Sequence, residues 1–389
     1  MSSWSEGEGK PSIHWQRSPT RMALSPQMVL AACTAAEERG TATTATRLEM
    51  LFALVEAERF ADAVAHGEPH PPGEISEWDL LLAQALTSLD RPQEALARID
   101  ASLQRRESHA ARATRAELLL RLEHRDAAAA VDHVVANTSQ TLTSDFLVNL
   151  LQRHGPAATL LLLEQNPSRF KFATWAESRL RCLIEMGRHA EAEALADASR
   201  YLWQGMIDPP PGFDRESFHQ ALLADIGQMR SLSPNPAGKA TRKGMQTVCV
   251  LEGHPKAVPL LLTQLRKAVD DYVAALAGDT SLFARAMPDR AEMHCWTVLL
   301  ERGGQQAAHI HPSGWLSGCY YVATPEDDDE GGCLNIPLAP PRQTPPWTPC
   351  RIRPEPGKLA LFPSYFRHDT TPHQSDGKRI CFAFDVVPV

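Results

Sequence analysis

Three histidines and an arginine near the end of the 389-residue chain have the side-chain types and spacing needed for metal chemistry. His309 and His311 are separated by one residue and precede the β-forming run Cys319–Val322. Alternate side chains of a strand point the same way, about 6–7 Å apart, so these imidazoles can bind one metal ion. His368 follows the apolar, strand-like run 359–366. Three neutral imidazoles suit a divalent first-row metal and leave positions open for a substrate.

Arg379 begins the apolar run 379–385, which has the composition of a strand. A lone arginine in an apolar strand is costly unless it meets an anion. Its planar guanidinium can donate two parallel hydrogen bonds to a carboxylate. A metal with an arginine nearby describes a site for a ligand that chelates the metal and also carries a carboxylate.

The chain from about 207 to 389 resembles the Fe(II)/2-oxoglutarate-dependent oxygenases, in particular their prolyl-hydroxylase-like branch. That branch has the pattern His-x-His-Pro…Trp-Leu-Ser-Gly-x-Tyr-Tyr, followed by Gly-x-Leu-x-Leu-Phe-Pro-Ser, a histidine, a proline and an arginine. The matching residues are His309 to Tyr321, Gly357 to Ser364, His368, Pro372 and Arg379. The ordered combination is specific, although each piece alone would be weak.

The resemblance implies roles for individual residues. His309 and His368 match the family's metal-binding histidines. Arg379 matches the arginine that pairs with the distal carboxylate of 2-oxoglutarate, and Tyr321 matches a tyrosine that hydrogen-bonds the same carboxylate. The implied cofactors are Fe(II), 2-oxoglutarate as co-substrate and O2.

Two positions depart from the family pattern. His311 stands where the third metal ligand is usually Asp or Glu, and Cys381 stands where a serine usually follows the arginine. Imidazole still binds Fe(II) well, so we predict a metal site of His309, His311 and His368, which are also the predicted catalytic residues. Two alternatives remain open: a site that uses only His309 and His368, and a degenerate fold without turnover.

The first half of the chain is rich in the helix formers Ala, Leu, Glu and Arg, and a short signature recurs in it. Copies begin at Ala57, Leu89, Leu122 and Met186, at intervals of 32, 33 and 64 residues, and a weaker copy near 154–158 fills the gap. A period near 34 with a turn between two helices resembles the tetratricopeptide repeat, whose helix pairs stack into a solenoid.

The sequence therefore predicts a multidomain protein in three parts. Residues 1–23 are predicted to be a disordered tail. Residues 24–205 are predicted to form an all-α, tetratricopeptide-like solenoid, which ends before Pro209-Pro210-Pro211-Gly212. Residues 206–389 are predicted to form a double-stranded β-helix, a jelly roll of the cupin kind, with flanking helices.

Composition and charge exclude several classes of protein. The net charge of −8 gives no broad basic surface for nucleic acid. No run of 18 apolar residues is present, so no membrane-spanning segment is expected. The eight cysteines include no Cys-x-x-Cys pair, which fits a reducing cytoplasm rather than a disulfide framework.

The predicted function is a dioxygenase that hydroxylates an unactivated C–H bond, in a peptide or protein docked by the helical repeats. Three alternatives are open. The chain could hydroxylate a small molecule, or be a non-catalytic repeat scaffold with a vestigial cupin domain. It could also be a three-histidine cupin dioxygenase that needs no 2-oxoglutarate. An Arg379 side chain that points away from the metal would favour this alternative.

Overall fold

The computed structural model describes residues 12–16, 26–137, 144–167, 170–229, 232–234, 240–247, 250–251, 254–325 and 331–389. Its contacts divide into two compact units. One unit is Leu24–Phe170, and the other is Lys171–Val389 together with the N-terminal segment 12–16. Within the described stretches, no helix is both long and apolar enough to cross a membrane.

The unit Leu24–Phe170 is made of helices that pack on their neighbours in sequence. The helix Thr44–Glu56 also contacts the helix Ser76–Ser88, which in turn contacts the helix His109–Arg121, as in a linear array of helix pairs. A buried core of Leu51, Leu54, Leu82 and Ile99 joins the first of them. The helices are α1 (Pro26–Glu38), α2 (Thr44–Glu56), α3 (Phe60–Gly67), α4 (Ser76–Ser88), α5 (Pro92–Arg105), α6 (His109–Arg121), α7 (Ala127–Asn137) and α8 (Ser144–Gln165).

The recurring signature marks equivalent helix ends. Its second residue has a left-handed backbone in each copy, with φ of 53° at Glu58, 58° at Asp90, 51° at Glu123 and 68° at Gly187. The next N–H then bonds to the carbonyl five residues earlier, at 2.9 Å in all four copies, which is the Schellman helix end. The weaker copy is a break in α8, where Gly155 has φ 77°. The signature thus locates the helix pairs, and the tetratricopeptide class stays a prediction.

Replacing Glu58 by glycine should stabilise the protein. Glu58 is exposed and has φ 53°, a conformation that costs a side chain with a Cβ about 1–2 kcal/mol. After the greater chain entropy of glycine is subtracted, Glu58→Gly should gain about 0.5–1 kcal/mol. Glu49→Gly, an exposed position inside α2, is the matched control and should lose about 1 kcal/mol. Urea titration of the full chain, followed by circular dichroism, measures both; equal losses would contradict the assignment of the helix end.

The second unit combines helices with two sheets. Its helices are α9 (Phe172–Glu185), α10 (His189–Leu195), α11 (Ala198–Tyr201), α12 (Arg215–Ile226), α13 (Val258–Ala275) and α14 (Leu282–Arg285). Its strands are β1 (His14–Trp15), β2 (Trp203–Met206), β3 (Ser233–Pro234), β4 (Thr241–Gln246), β5 (Arg290–Gln306), β6 (Leu316–Ala323), β7 (Leu334–Leu338), β8 (Cys350–Ile352), β9 (Lys358–Pro363), β10 (Arg367–Thr370) and β11 (Arg379–Pro388).

Strand β11 lies in the middle of the larger sheet. Among the described residues that sheet has eight strands, in the order β2-β9-β6-β11-β5-β4-β3 with β1 on β5, and the second sheet has three, in the order β10-β7-β8. All pairings are antiparallel except that of β1 with β5. Two mainly antiparallel sheets agree with a β-rich C-terminal domain, and the jelly-roll topology itself stays a prediction.

The division of the chain differs from the predicted boundary near residue 205. Helices α9 to α11 belong to the unit with the sheets because their polar groups bond to its residues. Glu177 pairs with Arg367 at 3.2 Å, and the hydroxyl of Tyr365 donates to the carbonyl of Leu195 at 2.8 Å. Strand β2 pairs with β9 in the same unit. The helical composition of residues 171–205 therefore does not show which of the two units they belong to.

The predicted disordered tail, residues 1–23, lies mostly outside the described residues. The part that is described differs from the prediction, because His14–Trp15 forms β1 and pairs in parallel with Arg290 and Ala291. The indole N–H of Trp15 donates to Asp270 at 2.9 Å. The pairing with β5 and the hydrogen-bonded side chain of Trp15 together hold this short segment in place.

Candidate active site

Three imidazole rings converge in the unit that contains the sheets. The ligand atoms of His309, His311 and His368 all lie within 4.8 Å of one another. The Nε2 atoms of His309 and His311 are 3.1 Å apart. Two nitrogens bound at right angles to a metal about 2.1 Å away would lie about 3 Å apart, so this pair fits two neighbouring ligand positions.

The backbone brings the three histidines together from two segments that are distant in sequence. His309 and His368 form an isolated antiparallel bridge, with N–H to carbonyl distances of 3.0 Å in both directions. The N–H of His311 donates to the carbonyl of Ser364 at 2.9 Å. The sequence predicted that the histidine pair lies at a strand or strand edge. In the structure His309 forms a single bridge, in the segment between the end of β5 and the start of β6.

The Nδ1 atom of each ring is already committed to a hydrogen bond. His309 and His368 each donate to the carbonyl oxygen two residues earlier, at 2.7 and 2.8 Å. His311 donates to the carboxylate of Asp385 at 2.5 Å. With Nδ1 protonated, the lone pair of each neutral ring is on Nε2, which is the tautomer that a metal ligand needs.

Burial keeps two of the rings neutral. It lowers the pKa of His309 to about 4, and the neighbouring ring of His311 adds to the effect. Burial also lowers the pKa of His368 well below its usual range, with His309 contributing. Metal ions compete with protons for imidazole, so rings that are neutral at pH 7 can bind a metal without first losing a proton.

Arg379 forms a second part of the same interior. Its side chain is 1% exposed, its Nε donates to the carbonyl of Gly332 at 2.9 Å, and its guanidinium lies 4.9 Å from the centre of the Tyr321 ring. Its Nη1 atom donates to the sulfur of Cys381, a weak acceptor, at 3.4 Å. In the described part of the chain, no carboxylate lies within ion-pair distance of Arg379. A buried guanidinium without a carboxylate partner among the described residues suits a bound carboxylate.

Tyr321 adds a polar group without a partner next to Arg379. Its hydroxyl is buried and has no hydrogen-bond partner among the described residues, with the thiol of Cys319 as a polar neighbour. Burial raises the pKa of Tyr321, so the phenol stays protonated and can donate. Gly332 has φ 74°, and a Cβ there would lie 3.2 Å from the Arg379 side chain, so the backbone at this glycine packs closely on the arginine. The donors of Arg379 and Tyr321 suit the distal carboxylate of 2-oxoglutarate.

Strand register places Arg379 and the aspartate that bonds His311 on one face of β11. On β11, Arg379, Cys381 and Asp385 point to the same face. Across the ladder, Cys381 pairs with Tyr321, and Asp385 pairs with Ser317. The face that carries Arg379 and Tyr321 at one end therefore carries the partner of His311 at the other, and Arg379 does not point away from it.

The five predicted site residues are thus brought to one face of the fold, although their roles stay predictions. Tyr320 faces the other way, as the alternation of strand side chains predicts, and its hydroxyl bonds His219 at 2.8 Å. Sequence reasoning missed Asp385. The signal that could have found it was its even spacing from Arg379, which places both side chains on one side of a strand.

Part of the chain matches a known family. Residues 294–385 match a family described as "Putative 2OG-Fe(II) oxygenase", and this span contains the three histidines and Arg379. The match supports a 2OG-Fe(II) oxygenase domain in the C-terminal part of the chain. Together with the three-histidine group it confirms the predicted cofactors, Fe(II) and 2-oxoglutarate. No curated protein matches the chain.

Several solved structures are similar to the chain at low identity. A prolyl-4-hydroxylase from Pseudomonas putida is 18% identical over 50% of this chain and 96% of its own, with TM-score 0.36. A prolyl hydroxylase from Trichoplax adhaerens, in complex with a hypoxia inducible factor peptide fragment, is 15% identical over 54% and 92%, with TM-score 0.35. HygX from Streptomyces hygroscopicus, with nickel and 2-oxoglutarate bound, is 11% identical over 52% and 87%, with TM-score 0.33.

Removing the hydroxyl of Tyr321 should have opposite effects on stability and on ligand binding. Without ligand, Tyr321→Phe removes a buried hydroxyl that has no hydrogen-bond partner in the described part of the chain, and the change should stabilise the protein by about 1 kcal/mol. With 2-oxoglutarate, a hydrogen bond to a carboxylate is lost, and the affinity should fall about tenfold. Thermal melting and calorimetric titration measure the two effects.

The neighbouring tyrosine is the matched control for this prediction. The Tyr320 hydroxyl is bonded to His219, so Tyr320→Phe should destabilise the protein by about 1 kcal/mol and leave 2-oxoglutarate affinity unchanged. If the Tyr321→Phe protein is less stable and binds 2-oxoglutarate normally, Tyr321 does not belong to the 2-oxoglutarate site.

Proposed function

We propose that the chain is an Fe(II)- and 2-oxoglutarate-dependent dioxygenase that hydroxylates an unactivated C–H bond. The observation that carries this proposal is the convergence of ligand atoms from three histidines, together with Arg379, a buried arginine without a carboxylate partner among the described residues. The match of residues 294–385 to the oxygenase family supports it.

In this proposal His309, His311 and His368 hold Fe(II), and Arg379 with Tyr321 holds the distal carboxylate of 2-oxoglutarate. When bound, Fe(II) and 2-oxoglutarate supply the activation of O2 that is coupled to decarboxylation to succinate. The chain contributes orientation, because the three Nδ1 bonds and the packing of Arg379 on Tyr321 fix the groups before any ligand arrives.

Apolar side chains next to the histidines reduce the access of water to the proposed metal centre. The ring of Trp296 lies 5.5 Å from that of His311, and the buried ring of Phe362 lies 4.8 Å from that of His368, both measured between centroids. Exclusion of water strengthens the electrostatic interactions in such a site and protects a reactive oxidant from side reactions.

The first experiment is to measure succinate formation from 2-oxoglutarate by the wild-type protein. The protein is reconstituted with Fe(II) without oxygen and then exposed to air. Fe(II)-dependent formation of succinate and CO2 in a one-to-one ratio is expected. Direct binding of Fe(II) and 2-oxoglutarate is measured in parallel, because some enzymes of this kind turn over only with substrate. Absence of both binding events would favour a non-catalytic scaffold.

We propose a peptide or protein as the substrate, bound in part by the helical unit. The support is the linear packing of its helices and two exposed apolar side chains, Phe52 and Leu161, which are 51% and 55% exposed. A net charge of −8 disfavours nucleic acid. A cytoplasmic location is part of the proposal, and its support is that all described cysteines are free.

A library of proline-containing synthetic peptides tests the substrate class. The wild type should add 16 Da to particular peptides, and a His368→Ala protein should add nothing. Phe52→Ser should raise the KM for a peptide found in this way without changing uncoupled succinate formation. Hydroxylation of small molecules alone would overturn the peptide proposal and leave the dioxygenase proposal intact.

A further inference from the structure

Asp385 contacts the edge of the His311 ring opposite the point where the three histidines converge. Its Oδ1 accepts a hydrogen bond from Nδ1 of His311 at 2.5 Å and another from the hydroxyl of Ser317 at 2.7 Å. The Ser317 hydroxyl also shares a hydrogen bond with that of Ser364, at 2.8 Å. The carboxylate is therefore held by a small buried network as well as by the histidine.

The position of Asp385 excludes it from the group of direct ligands. Among the described residues, the cluster of possible ligand atoms contains the three histidines and no carboxylate. Asp385 reaches Nδ1, whereas the converging atoms of His309 and His311 are their Nε2 nitrogens. Its effect on a bound metal therefore has to pass through the imidazole ring of His311.

Among the described residues, Asp385 pairs with the His311 ring and with no lysine or arginine. The side chain is 14% exposed, and the described part of the chain offers no lysine or arginine nitrogen within ion-pair distance of it. A mostly buried carboxylate without a cation nearby is costly. A divalent ion on the far side of the His311 ring would supply the compensating positive charge.

We infer that Asp385 is a positioning residue that orients His311 and supplies, through its Nδ1 hydrogen bond, the negative charge that position 311 itself lacks. This inference rests on the proposed function. In the pattern that the chain resembles, the third ligand is a carboxylate, and here it is a neutral imidazole. A carboxylate bonded to the remote nitrogen makes a histidine a more basic ligand, and loss of such a partner typically lowers metal affinity about 10- to 100-fold.

Gly314 packs the histidine loop against this network. A Cβ at this glycine would collide with the hydroxyl of Ser364 and lie 3.3 Å from Cβ of Asp385. The N–H of Gly314 bonds to the carbonyl of His311 at 3.2 Å. The loop that carries His311 thus approaches Asp385 so closely that the hydrogen bond between them has little freedom to change.

The test uses Co(II) as the probe and the full-length protein without 2-oxoglutarate. Binding is measured by calorimetry, and the ligand field by the visible absorption of the Co(II) protein. Asp385→Asn keeps the size of the side chain and removes its charge. Asp369→Asn is the matched control, because Asp369 follows His368 in sequence but bonds to Asn335 at 2.8 Å. The metal-free proteins are first compared by thermal melting.

Asp385→Asn should bind Co(II) about 10- to 100-fold more weakly than the wild type. At saturating Co(II) its visible bands should be shifted, a change that a purely structural role would not produce. Asp369→Asn should match the wild type in both measurements. Ser317→Ala provides a second variant if Asp385→Asn does not fold. It removes one hydrogen bond to the carboxylate and should weaken Co(II) binding about threefold, in line with a typical net hydrogen-bond contribution.

Two failures are distinguishable. Wild-type affinity and bands in Asp385→Asn, with normal Co(II) binding by the wild type, would overturn the role of Asp385 alone. Failure of the wild type to bind Co(II) would overturn the three-histidine centre, and with it both the proposed function and this inference.

Discussion

His368→Ala is expected to lower Fe(II)-dependent succinate formation by more than 100-fold. His368 contributes one of the three converging nitrogens, and loss of a direct ligand should exceed the roughly 10- to 100-fold effect of losing an outer partner. The backbone bridge between His309 and His368 does not involve the side chain, so the other two histidines keep their places. Co(II) titration should show a matching loss of affinity.

The control for this variant is another buried histidine of the same unit. His219 is 7% exposed and bonds to the hydroxyl of Tyr320, on the opposite side of β6 from Tyr321. His219→Ala should lower the stability of the protein, because it leaves a cavity and an unpaired hydroxyl, without lowering Co(II) affinity. Normal Co(II) binding by His368→Ala would show that the three histidines are not a metal centre.

Replacing Arg379 by methionine is expected to raise the KM for 2-oxoglutarate about 30- to 4,000-fold. Removal of one partner of a buried, hydrogen-bonded charge pair costs about 2–5 kcal/mol, which corresponds to this range. Arg379→Lys keeps the charge but loses the planar fork, so its KM should lie between those of the wild type and the methionine variant. Co(II) affinity should stay unchanged in both variants, because Arg379 touches none of the histidines.

Arg302→Met is the matched arginine control. Arg302 is 63% exposed and pairs with Asp376 at the surface, so its loss should leave the KM for 2-oxoglutarate unchanged. A wild-type KM for 2-oxoglutarate in Arg379→Met would show that Arg379 does not bind this co-substrate. If such a protein still consumed O2 in a metal-dependent reaction, the chain would be a three-histidine dioxygenase that needs no 2-oxoglutarate.

Much of the candidate site followed from residue types and local spacing. The period of two along a strand placed His309 and His311 on one side, and the cost of a lone buried arginine singled out Arg379. These arguments use only neighbouring residues and the chemistry of one side chain. The structure agrees with them, because the imidazoles converge and Arg379 lies on the same interior face as Tyr321.

Features that depend on pairing between distant segments were not predictable in this way. Asp385 looks ordinary in sequence, at position seven of β11, and gains its importance only because that residue faces Ser317 and the His311 ring. The division of contacts at Lys171, as against the predicted boundary near residue 205, depends on pairing of the same kind. Helix α9 has the composition of the repeats before it, and nothing local shows that Glu177 will pair with Arg367.

Strand β11 carries residues at both ends of the candidate site, and this limits how the sequence of the strand can change. Arg379 and Asp385 are six residues apart on β11, and both point inward because six is even. Substitutions between them alter what lies around the co-substrate, whereas insertion or deletion of one residue would turn either the arginine or the aspartate to the opposite face. Natural variation and protein engineering should therefore preserve the length of this segment more strictly than its composition.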